Sequence, residues 1–264
     1  MTEIENRIYS TPPIQERIAG VYTDITQETF ESLLPSWADK IASKYPRSEP
    51  VPNWEIDVET VDGVSIIKDA QPRAKIIHLF WQKHPKRQNV KGMRVRPDRL
   101  VFHLVREEDN SHKFSELISE LEEWLGLWME HFGVVSLKGV TLEYVNLLNE
   151  QITPQFVSPD GSLRIGEAFS LFTNIPGQRH TIIPPYDCIL RLLVDSKMPC
   201  YFTVRLMNQP IPQIGVRIDF SVASLAQNKT ISPQEALEEL RFAHKVMLEQ
   251  FDCFFTEKAK ESFA

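Results

Sequence analysis

The chain has 264 residues, enough for one large domain or two small ones, and its 42% apolar and 25% charged content excludes wholesale disorder. A net charge of -7 argues against attraction of the whole molecule to phosphate backbones or anionic membranes. No apolar run is long enough to span a bilayer, and the opening MTEIENRIYS has neither a signal-peptide nor a lipidation pattern, so a cytoplasmic protein is expected.

Pro12-Pro13 disfavours helix, and Ile14–Ile25 after it reads as extended. Thr26 then caps a helix with Phe30, Leu33, Leu34, Trp37, Ile41 and Tyr45 on one stripe; Pro35 should kink it and Tyr45-Pro46 end it. Trp54–Val61, Lys75–Gln82 and Leu100–Val105 are short, apolar and rich in β-branched or aromatic residues, which predicts three strands. His112–Phe132 is a strong amphipathic helix with Gly133 at its C-terminal cap.

Val140–Leu148 restarts the pattern as a strand and a proline-containing loop follows. Further strands are predicted at Ser170–Thr173, Asp187–Val194, Tyr201–Met207 and Gly215–Val222. Ser232-Pro233-Gln234-Glu235 is a capping box with proline at the first helical position, and it opens a final helix. The order predicts an α+β fold of two similar β-α-β-β-β-α halves, residues 1–135 and 136–264. They would share a curved antiparallel sheet with the long helices on one face, as in TATA-box-binding-protein-like folds. A helix-grip fold is the alternative.

The chain lacks GxSxG, GxxxxGK[ST], GxGxxG, HExxH and CxxC, each of which leaves a local trace where its chemistry is used. A site assembled from distant residues leaves no such trace. Cys188, Cys200 and Cys253 are widely spaced among apolar neighbours and read as reduced, buried thiols; neither metal nor cofactor is expected. No histidine stands three or four residues from another, although His78 and His103 lie in strands that could bring them together. Glu122-Glu123 and Glu238-Glu239 are adjacent helical acids, which diverge by about 100° and suit a wet face. Glu143 and Asn146, polar in an apolar strand, are expected to hydrogen-bond as a structural pair between the halves.

One segment opposes the acidic average. Lys83, Lys86, Arg87, Lys91, Arg94, Arg96 and Arg99 stand against a single acid, Asp98, over residues 83–99. Two prolines and Gly92 suggest an exposed loop between strands. It is a candidate footprint for nucleic acid or another anionic partner, or a solvated loop paired with the chain's own acids.

Several motifs come in a recognisable order: Pro12-Pro13-Ile14-Gln15-Glu16, a helix ending Lys44-Tyr45-Pro46, Arg99-Leu100-Val101-Phe102, a helix with Leu121, Trp124, Trp128 and Phe132, then Glu143-Tyr144-Val145-Asn146. A closing helix holds Ala243-His244, Phe251 and Phe254-Phe255. This resembles a sporadically distributed, uncharacterised bacterial family of similar length, with Arg17 standing where that family has alanine and Glu143 where it has arginine. The resemblance implies a mobile-element, defence or toxin–antitoxin setting and supplies no catalytic residue. The functional expectation is a non-enzymatic interaction or regulatory protein that binds another protein and no membrane. The alternatives are a nucleic-acid-binding module using residues 83–99, and a small-molecule binder or enzyme with a pocket between sheet and helices.

Overall fold

The computed structural model describes residues 13–61, 64–82, 90–106, 113–151, 153–172, 181–194, 200–209, 214–225 and 230–263, with side chains throughout except at 50–61 and 64–77. Strand β1 (Ile14–Tyr22) leads into helix α1 (Gln27–Ile41), which buries Phe30, Leu34, Trp37 and Ile41. The Thr26 hydroxyl accepts the Thr29 N–H at 3.3 Å, the expected cap, and Pro35 lies inside the helix without ending it. Four strands follow: β2 (Arg47–Val61), β3 (Val64–Trp81), β4 (Lys91–Arg96) and β5 (Arg99–Val105). Helix α2 (Phe114–Phe132) closes on Gly133, whose φ of 68° is the left-handed cap that glycine adopts most easily.

Strand β6 (Gly139–Asn149) begins the second part. A short pair, β7 (Leu163–Arg164) and β8 (Thr181–Ile182), flanks helix α3 (Ile165–Ala168) and a single 3-10 turn, Ser170–Phe172. Then come β9 (Asp187–Val194), β10 (Cys200–Gln209), β11 (Gly215–Leu225), α4 (Pro233–Phe254) and α5 (Glu257–Glu261). The Ser232–Glu235 capping box of α4 forms in both directions.

Nine strands make one antiparallel sheet in the order β2-β3-β4-β5-β1-β6-β11-β10-β9. The chain is therefore α+β, and the sheet runs unbroken across the expected boundary at residue 135 through the β1–β6 pairing. Helices α2 and α4 pack on one face, α2 over β1 and β5 and α4 over β6 and β11, while α1 packs against α2. Their stripes meet Ala19, Val21, Leu100, Phe102, Leu104, Leu142, Tyr144, Ile218 and Phe220 in one core. Trp37 meets Trp124 edge-on at 6.3 Å, a preferred aromatic geometry. On the far face Ile18, Val101 and Val145 form a second, small apolar cluster among the described residues.

Four expectations need correction. Residues 91–96 form a strand rather than a loop: Met93 and Val95 alternate with Arg94 and Arg96, and the apolar pair is fully buried toward the helices. The period of two outranks the charge. Ser170–Phe172 is helical, not a strand, and β2 and β3 begin earlier than their apolar cores at Trp54 and Lys75. Cys188 and Cys253 are exposed; of the three free thiols only Cys200 is buried.

Candidate functional site

The described cations of the basic segment, Lys91, Arg94, Arg96 and Arg99, do not present a single patch. Lys83, Lys86 and Arg87 lie outside the described residues. Lys91 points toward the helices, where its Nζ is 3.7 Å from Glu120 and 3.9 Å from Glu116 of α2. Arg94, Arg96 and Arg99 point to the far face. Arg96 and Arg99 share one acid, Asp98, at 2.9 and 3.0 Å, and Arg99 also lies over the Tyr22 ring.

Arg94 belongs to a row of charge across the middle of the far face. His103 on β5 is buried; its Nδ1 is 2.6 Å from Glu16 of β1, and its Nε2 accepts from Arg94 Nε at 3.1 Å. Burial holds the imidazole below its ordinary pKa despite the Glu16 carboxylate, so the neutral ring donates from Nδ1 to Glu16. Burial alone would raise the Glu16 carboxyl, but the hydrogen bond from His103 and the charge of Arg94 hold it below the usual range. His103 and His78 do not meet: the register places His78 opposite Val95, on the helix side, and His103 opposite Gly92 on the far side.

Glu143, next in the row, has no ion-pair partner within 4.0 Å among the described residues. Burial first, then the carboxylates of Asp219 and Glu16, raise its carboxyl to about 7, with Arg217 and Arg94 opposing. Arg217 is committed to Asp219 at 2.8 Å. Asn146 stands on the opposite face of β6 from Glu143, because their positions differ by an odd number. Its Nδ2 donates to the Tyr144 and Ile218 carbonyls, both at 3.1 Å and both within the second half. The expected bridging pair is therefore not formed; Asn146 fastens β6 to β11.

Two features escape sequence reasoning. On the helix side, Arg17 of β1 lies 5.5 Å from the centroid of the Tyr144 ring. The Tyr144 Oη is 2.8 Å from His244 Nδ1 on α4, and His244 stacks on Phe114 with ring centroids 3.9 Å apart. The signal was the single cation in the otherwise apolar run after Glu16. At the sheet's end, β9 pairs only with β10 among the described strands, yet Ile189 is 60% and Leu193 66% exposed. Its sequence, apolar on both faces, suits a covered central strand, and the order of strands puts it at the edge.

No protein-family model matches the chain, and no curated protein matches it in sequence. Among solved structures the comparison gives Pct1 RNA triphosphatase of S. pombe, in complex with the Spt5 CTD, at 7% identity over 90% of this chain and 79% of that one. The TM-score is 0.14, a likeness too slight to carry any argument.

Proposed function

We propose that the chain is a non-enzymatic interaction protein whose β9 edge takes up an extended segment of a partner protein as a further strand. The observation that carries this reading is the exposure of Ile189, Leu192 and Leu193 on a strand with one side unpaired among the described strands. Edge strands are ordinarily short, charged or covered, because their free amides and carbonyls template pairing. On the far-face side of β9 the order is Asp187, Ile189, Arg191, Leu193. Asp187 is held by Arg205 at 2.6 Å, while Arg191 meets only the Tyr201 ring, 6.0 Å away, and no acid among the described residues. That favours a partner strand in which apolar residues alternate with carboxylates.

The strand order also supports an internal duplication. Outward from the central β1–β6 pair, each direction meets first the last strand of its own half, β5 or β11, and then the preceding ones in reverse. Each half ends in a long helix on the same face, as a TATA-box-binding-protein-like arrangement requires. The halves differ in that α1 and β2 have no full counterpart in the second. The regulatory or defence setting rests on the family resemblance alone.

The test is capture of the partner from native cells by the tagged chain and by an Ile189→Lys, Leu193→Lys variant, followed by hydrogen exchange on the isolated complex. The double variant is expected to keep the folded chain's thermal midpoint and lose the partner, and the partner is expected to protect the β9 amides. A partner retained by the variant, without added protection in β9, would remove the reading. Nucleic acid, through the basic residues 83–99, is the second reading; filter binding at two salt concentrations tests it through the salt slope.

A further inference from the structure

Arg17 sets a separate problem on the helix side of the sheet. Its guanidinium is half-buried where β1 and β6 pass beneath the start of α2 and the middle of α4. Burial works against its charge, and among the described residues no carboxylate lies within 4.0 Å of it. A desolvated arginine ordinarily has an anion beside it, since an uncompensated buried charge is strongly unfavourable. The Tyr144 phenol oxygen, which accepts from the guanidinium, is its main support but carries no charge near neutral pH; Glu116 is also near enough to favour the cation, but its carboxylate accepts the Lys113 N–H at 3.2 Å and faces Lys91. Arg106, also close, adds a second positive charge rather than a compensating one.

The neighbours offer donors and few acceptors. Burial raises the Tyr144 phenol above its ordinary pKa, and the same burial, with Arg17, lowers His244 to about 4. Both groups are therefore neutral near pH 7; because the Tyr144 oxygen already accepts from Arg17, its O–H is assigned to His244 Nδ1, 2.8 Å away. That bond uses the acceptor nitrogen of the ring and leaves the proton on Nε2, which meets no acceptor among the described residues. Phe114, stacked on the imidazole, fixes its plane. Tyr144 forms the floor at 2% exposure, while Arg17, Phe114 and His244 are each half-buried and keep some contact with solvent at the rim.

We propose that Arg17 and His244 form a binding site for a small oxyanion, the carboxylate or phosphate group of a metabolite, between α2 and α4. The guanidinium supplies a planar pair of donors and His244 Nε2–H a third. A cationic ligand is repelled by the Arg17 guanidinium. This site is independent of β9: it lies on the other side of the central strands and is lined by different residues.

Titration calorimetry of the full chain with sodium phosphate, and separately with sodium acetate, at pH 7 and constant ionic strength in chloride, tests the proposal. Saturable binding of at least one anion is expected, and the better of the two identifies the source group. Arg17→Gln is expected to weaken that binding roughly ten- to a hundredfold, the usual loss for hydrogen bonds to a charged group. Arg17→Lys should recover part of it. Should Arg17→Gln unfold, His244→Phe keeps the stack on Phe114 while removing the Nε2 donor, and a severalfold weakening is expected there. No saturable heat with either anion, or equal affinity in the wild type and the variants, would overturn the proposal.

Discussion

Toward the helices the sheet presents Ala19, Val21, Leu100, Phe102, Leu142 and Phe220, which interlock with the stripes of α1, α2 and α4. The far face of the same strands carries Glu16, Arg94, His103, Glu143, Arg217 and Asp219 around three apolar residues. One face is held by volume and the other by paired charge. The difference follows from the period of two: β1, β5, β6 and β11 each send one alternation to the core and the other to the polar row. A change on the first face should act through cavities and respond little to pH, and a change on the second should act through protons.

Removing the largest side chain from the helix face gives the strongest test. Trp128 is fully buried on α2, and Trp128→Ala should lower unfolding stability by about 3–5 kcal/mol in urea titrations. Val101→Ala on the far face should cost clearly less, because it removes fewer buried methyl groups. Equal losses would mean that the faces are not distinct.

Next in size is Gly92, on β4, where an added Cβ would meet the Trp81 ring at 2.8 Å. Gly92→Ala should cost about 1–3 kcal/mol as the indole is displaced. The indole N–H donates to Glu49 at 2.6 Å, so a shift in Trp81 fluorescence should accompany the loss. Unchanged stability and emission would show that the far face yields there.

The smallest effect is the most diagnostic. Glu143 has its carboxyl raised from 4.5 to about 7, so between those values the folded state keeps a proton that the unfolded chain has released. Its contribution therefore falls as pH rises across that window. Glu143→Gln removes the dependence and should stabilise the protein by about 1–2 kcal/mol at pH 8, with little change at pH 4. A variant equally stabilised at both values would assign the effect to packing.

The sequence made the helix face legible because its signals are local. Thr26, Gly133 and the Ser232–Glu235 box mark helix ends, and the aromatic stripes of α2 and α4 point to one layer. The far face was harder, since its row joins β4, β5, β1, β6 and β11, strands that only the sheet order makes neighbours. His103 and Glu16 are 87 residues apart in sequence and share a hydrogen bond. Strand β4 was obscured because its cations look like a solvated run until Met93 and Val95 are counted on the other side. Arg17 stood out in sequence only as a departure from the resembled family; the β1–β6 register, placing it opposite Tyr144, brings it under α4.

Strand β1 is made before β5 and β6 and yet pairs with both in the middle of the finished sheet. During synthesis it must wait for one neighbour and then, with that side closed, for the other. Until residues 139–149 emerge, a growing chain that has already joined β1 to β5 displays the future centre of the molecule as a bare border. The seam between early and late portions is thus the step on which the nine strands become one sheet, and long-range closure of this kind belongs to the slower class of folding reactions.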